Sequence, residues 1–167
     1  EKLSESQEEN NRPLRGKTGK FISWLAAGIA LFHIWANTLG NLSDLWRNCL
    51  HFCLLGFLAF VIYPGVKRKR LDKPWLAIDL FLGLVIISSS IYLILFEEAL
   101  HQRNEVPLLF DLIFAAIAVI LALELARRTS GYIIPLLAIF LLTYVLWWGE
   151  HLEGIFSIRS MSLSRIL

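Results

Sequence analysis

"LAIDLFLGLVIISSSIYLILF", residues 76–96, holds one charged side chain, Asp79, in 21 positions. As a helix rising ~1.5 Å per residue it spans roughly 32 Å, the thickness of a bilayer hydrocarbon core. Its apolar residues fall on every side rather than along one stripe, so it does not read as a surface helix of a soluble domain. In lipid a segment must satisfy its own backbone hydrogen bonds, which makes helix the expected state.

Outward from this segment the pattern repeats. Apolar blocks lie at 21–40, 48–66, 108–126 and 132–149, each between 18 and 20 residues long. The chain is 56% hydrophobic over 167 residues, with a mean hydropathy of +0.60. A soluble domain of this length could not bury so much apolar side chain and still show water a polar face. The expected fold class is an all-α integral membrane protein with five transmembrane helices. Residues 1–20 are polar and read as a cytoplasmic tail without core-forming residues. The chain opens on Glu1 rather than Met, so an upstream piece is expected to be missing or processed.

Charge orients the spans. "YPGVKRKRLDKPW", residues 63–75, sets Lys67, Arg68, Lys69, Arg70 and Lys73 against Asp72 alone. The segments before span 1, between spans 2 and 3, and between spans 4 and 5 together hold 12 Lys/Arg, including Arg12, Arg15, Arg127 and Arg128. The alternate segments hold four: Arg47, Arg103, Arg159 and Arg165. Basic excess marks the cytoplasmic side, so the N-terminus is expected inside and the C-terminus outside. The basic loop thus reads as a topology determinant facing lipid headgroups. A net charge of +2 gives no argument for nucleic acid. Turn residues agree: Pro64–Gly65 closes span 2, while Pro74 and Pro107 stand where a missing N–H costs little. Trp24, Trp35, Trp46, Trp75, Trp147 and Trp148 fall mostly near span ends, as an aromatic belt would.

The acids within spans are Asp79, Asp111 and Glu124. Intramembrane ionisable residues are functional candidates by default. Here each lies near a span end, and Glu124 has Arg128 as an i+4 partner, so structural roles are expected. Ser88, Ser89 and Ser90 are expected to let helices approach and to hydrogen-bond across the contact. His33 and His51, on adjacent spans, raise the alternative of a membrane-anchored electron-transfer subunit with a b-type haem. Helix packing is the plainer reading. Cys49 and Cys53 lie one helical turn apart and read as small buried residues. No span shows paired Gly/Pro at its middle, the mark of the broken helices that build transport sites. No Walker motif, HExxH or nucleophile constellation points to an enzyme.

One resemblance covers roughly residues 74–167. It is carried by Tyr92, Glu98, the Glu124-x-x-Arg127-Arg128 exit, Gly131, Pro135 and Ser162-Leu163-Ser164-Arg165. In that order and spacing they resemble the start of TAXI-type TRAP transporter permeases, which often fuse their small and large membrane subunits. Residues 21–66 match by hydropathy and position. The resemblance implies uptake of a small organic anion across a bacterial or archaeal cytoplasmic (inner) membrane. It further implies a Na⁺ or H⁺ gradient as driving force and a periplasmic substrate-binding protein as partner. Residues 21–100 would be a small-subunit-like scaffold of three spans. Residues 101–149 would be a helical pair opening the large-subunit-like part, and 150–167 an outer segment leading downstream. Substrate and ion sites would lie in that downstream part or in a separate large subunit. The outer loops 41–47 and 97–107, with Arg47, Glu97, Glu98, Arg103 and Glu105, would receive the binding protein. The Ser162–Arg165 helix start is expected to lead into further spans, which disfavours a stand-alone small membrane protein.

Overall fold

A computed structural model of the chain describes residues 11–14, 16–66, 73–103, 106–159 and 161. Among these the regular structure is all helical. Five helices are long and apolar enough to cross a membrane, and this is the composition of a multi-pass membrane protein. The chain divides into two compact units, Glu1–Ala99 and Leu100–Leu167.

In the first unit, helix α1 spans Gly16–Thr38 and α2 spans Asp44–Ile62. Helix α3 runs from Lys73 to Gln102. Helix α1 starts five residues ahead of the apolar block at 21, so the polar 16–20 segment is helical rather than tail. It stops where the N–H groups of Leu39 and Gly40 both donate to Trp35 O, at 2.9 and 2.8 Å. Helix α2 also starts ahead of its apolar block, because Ser43 caps it: the hydroxyl accepts from Trp46 N–H at 3.2 Å. It ends at Ile62 rather than running on to the Pro64–Gly65 pair. Tyr63 is extended (φ −100°, ψ 103°), as the residue before a proline prefers.

Buried positions recur at one spacing. On α2 they include Cys49, Cys53, Gly56 and Phe60, with Val61 beside the last; on α3, Asp79, Gly83, Ile86 and Ser90, with Ser89 beside the last. Steps of four, three and four residues keep one seam facing inward. Small residues dominate both seams, as close helix approach in lipid requires. The opposite side of α3 exposes Phe81, Leu84, Ile91 and Leu95, side chains suited to acyl chains.

In the second unit, α4 covers Leu109–Ser130 and α5 covers Ile133–Thr143. Asp111 opens α4 by accepting Leu108 N–H at 2.7 Å, the carboxylate half of a capping box. Gly131 closes it with φ 81° and ψ −166°, a region essentially reserved for glycine. Pro135 is buried in the first turn of α5, where it displaces no backbone hydrogen bond.

The 132–149 block does not continue as α-helix to its end. Tyr144–Trp148 form a π turn and Gly149–His151 a 3₁₀ turn. The wider turn brings Trp148 edge-on to Phe140 and Tyr144, with centroids at 5.0 and 5.6 Å. It also redirects backbone carbonyls: Met161 N–H donates to Val145 O at 3.2 Å and Ile158 N–H to Gly149 O at 3.1 Å. A side chain on Gly149 would put its Cβ 2.8 Å from Tyr144 O, so this exit needs glycine.

Candidate functional site

Asp79 is the most deeply enclosed acid of the three within spans, 1% exposed. Its partner comes from the segment read as an unpacked tail. Arg12 Nη2 donates to Asp79 Oδ2 at 2.6 Å and Nη1 to Val61 O at 2.6 Å. Arg12 N–H donates to Ile62 O at 2.8 Å. The last carbonyls of α2 have no partner within their own helix, and its C-terminal end carries partial negative charge. Arg12 therefore closes α2 and neutralises α3 with one side chain, which is itself 6% exposed. The reading of residues 1–20 as a tail without packing residues fails at Arg12. The reason is that a carboxylate buried within protein needs a cation that can reach it.

Asp111 takes Arg103 Nη2 at 2.6 Å in addition to the Leu108 amide. Glu124 is gripped by two cations. Arg127 donates through Nε to Oε2 and through Nη2 to Oε1, both at 2.7 Å. Arg128 Nε donates to Oε1 at 2.7 Å. The expected i+4 partner is present, and the i+3 arginine supplies the bidentate geometry. Arg127 also lies over the Tyr132 ring, 5.7 Å from its centroid.

The serines do not bridge helices. Ser88 and Ser89 hydroxyls donate to Val85 O on their own helix, at 2.9 and 3.0 Å. The Ser90 hydroxyl is buried and finds no partner among the described residues. Packed as they are, these hydroxyls serve mainly as small side chains. Bonding back to a carbonyl three or four residues earlier is the cheaper choice on an apolar helix.

His33 and His51 touch edge to face, with centroids 4.7 Å apart and planes at 78°. His33 Nδ1–H donates to Ile29 O at 2.7 Å. Two axial imidazoles must stand on opposite faces of a macrocycle, and rings already in contact leave no gap for one. The pair does not fit a shared haem; it fits helix packing. Among the described residues no three His, Cys, Asp or Glu side chains gather as metal ligands.

Among the side chains assigned to the outer surface, three show the following local partners. Glu97 accepts the Ser43 hydroxyl at 3.0 Å. Arg47 pairs with Asp44 at 3.4 Å and donates to Leu42 O at 3.2 Å, while Arg103 holds Asp111. Glu98 is exposed. Lys67, Arg68, Lys69, Arg70 and Glu105 lie outside the described residues, as does Ser162–Arg165. No family model, curated protein or solved structure matches the chain.

Sequence reasoning missed two features. An enclosed Asp near the basic end of span 3 demands a cation, but the sequence offers many, and only contact selects Arg12. The π turn had a weak signal in Gly149 following two tryptophans.

Proposed function

We propose that this chain is a scaffold segment of a TRAP-type secondary transporter, holding moving partner elements in register within the bilayer. The observation that carries it is the fate of the intramembrane acids. Asp79, Asp111 and Glu124 are each consumed by arginine, so none stands ready to hold a coupling ion. The resemblance of residues 74–167 supplies the transporter class: uptake of a small organic anion with Na⁺ or H⁺, fed by a periplasmic binding protein. Alternating access needs a midplane site that two parts expose in turn. The π turn of span 5, Tyr144–Trp148, begins past the midpoint of Ile133–His151, which again favours a support over a pathway.

Reconstitution tests the reading. In liposomes with an imposed ion gradient and the cognate binding protein, the chain alone should give background uptake. Co-reconstitution with the large membrane subunit should give accumulation. Gradient-driven uptake by residues 1–167 alone would overturn the scaffold assignment.

The orientation belongs to the same proposal: N-terminus inside, C-terminus outside, in the inner membrane. A cysteine introduced at Lys69 should stay protected from an impermeant thiol reagent added to intact cells and react after permeabilisation. Labelling of position 69 from outside would reverse the topology.

A further inference from the structure

Past the π turn the chain does not simply run out of span 5. Ile158 N–H donates to Gly149 O and Met161 N–H to Val145 O, at 3.1 and 3.2 Å. Both acceptors belong to the apolar stretch Ile133–His151, long enough to cross a membrane. The backbone that follows the span is therefore tied back alongside its last turns. Locally it consists of 3₁₀ turns at Gly149–His151 and Gly154–Phe156, joined by an extended link at Leu152 and Glu153. Ser157 N–H closes the second turn on Gly154 O at 3.1 Å.

The backbone is held, but the side chains are not covered. Residues 150–155 and 157–159 are all exposed. Large apolar residues recur there at every third position: Leu152, Ile155, Ile158 and then Met161. Ile155 is 92% exposed and the other three between 37% and 43%. Trp147, on the π turn beside them in sequence, is 65% exposed.

Four environments compete for this surface. Water is a poor one, because clustered apolar side chains of this size are rare on a soluble face. Hydrocarbon is excluded by the irregular backbone, which lipid does not tolerate uncovered, and by the exposed Arg159. A covering protein would want an interface core depleted of charge. Here Glu153 directly follows Leu152, and Arg159 directly follows Ile158. The headgroup boundary accepts the whole set. It takes up apolar side chains on its acyl side, lets an arginine reach phosphate, and favours tryptophan. We propose that Leu152, Ile155, Ile158 and Met161 form an interfacial anchor in the headgroup layer at the end of span 5, with Arg159 on lipid phosphates. This rests on the spans alone and is independent of the transporter reading.

Spin labelling of the 167-residue chain tests it. Cys49 and Cys53 are changed to Ala, and a nitroxide is attached through Glu153→Cys, Ile155→Cys, Ile158→Cys or Leu84→Cys. Each protein is reconstituted in phosphatidylcholine vesicles. Molecular oxygen concentrates in the bilayer, while nickel ethylenediaminediacetate stays in water. Leu84, exposed on α3, supplies the reference for lipid within a span. Collisions should favour oxygen at 155 and 158 and nickel at 153, a reversal within two residues. The oxygen-to-nickel ratio at 155 and 158 should fall between those at 84 and 153. The label at 153 controls for the apolar character of the nitroxide itself. Arg159→Glu should lower the ratio at 158, because phosphate repels a carboxylate. Nickel-favoured collisions at 155 and 158 would place the segment in water. Exclusion of both reagents would place it under protein, and a ratio equal to that at 84 would place it in hydrocarbon. Each of these overturns the anchor. An unchanged ratio in Arg159→Glu would overturn the phosphate contact. Nickel-favoured collisions at 84 would overturn the spans and the anchor together.

Discussion

Replacing Asp79 with Ala should cost about 3–5 kcal/mol of stability, because it strands the Arg12 guanidinium in a site with almost no water. The side chains are 6% and 1% exposed for Arg12 and Asp79, so solvent cannot take over from the lost partner. Arg12→Ala should cost a similar amount. It removes the cation from Asp79 and, with it, the donor to Val61 O at the end of α2. The paired change Arg12→Met with Asp79→Leu should recover most of the loss, since no charge is then left buried. The residual deficit should be about 1 kcal/mol for the missing bond to the Val61 carbonyl. Thermal unfolding of the wild type and the three variants in one detergent compares these losses. If Arg12→Ala melts with the wild type, the N-terminal segment is not docked, and the account of how α2 and α3 are tied is wrong.

The second large effect is expected at Gly83. A Cβ there would lie 2.7 Å from Phe57 Cδ2 and 3.2 Å from Cε2, closer than a side chain tolerates. Helix propensity alone would favour a substitution, because glycine is about 1 kcal/mol worse than alanine inside a helix. The contact works against that, and a bulky residue decides the sign. Gly83→Val should lose about 1–3 kcal/mol by forcing α2 and α3 apart or the ring off its rotamer. Phe57→Leu in the Gly83→Val background should restore part of it, although the same change in the wild type should destabilise. Additive losses in the double variant would mean that Gly83 and Phe57 do not touch as described.

These two sites mark the boundary of what sequence reasoning reached. The five spans were readable because a bilayer imposes a length: runs of some twenty apolar residues need no tertiary information to be recognised. Pro64–Gly65 marked the end of span 2 to within a few residues, because the residue before a proline is held extended. The Glu124–Arg128 pair was readable because helical geometry brings i and i+4 together wherever the helix sits. The serines were misjudged, since hydropathy and residue size do not say whether a hydroxyl bonds across a helix pair or back to its own turn.

By itself, then, the sequence determined an all-helical chain with five apolar helices, their approximate limits and the Glu124–Arg128 ion pair. The tertiary structure decided which side of each helix faces inward. An apolar span has no amphipathic stripe to read, and the seam of Cys49, Cys53, Gly56 and Phe60 is no more hydrophobic than the side exposed to lipid. Packing chose it by size, because small residues permit the closest approach between helices. The tertiary structure also decided that Arg12 pairs with Asp79. The two are 67 positions apart in the chain. Such a pairing depends on where a whole segment comes to rest, and no local periodicity records it.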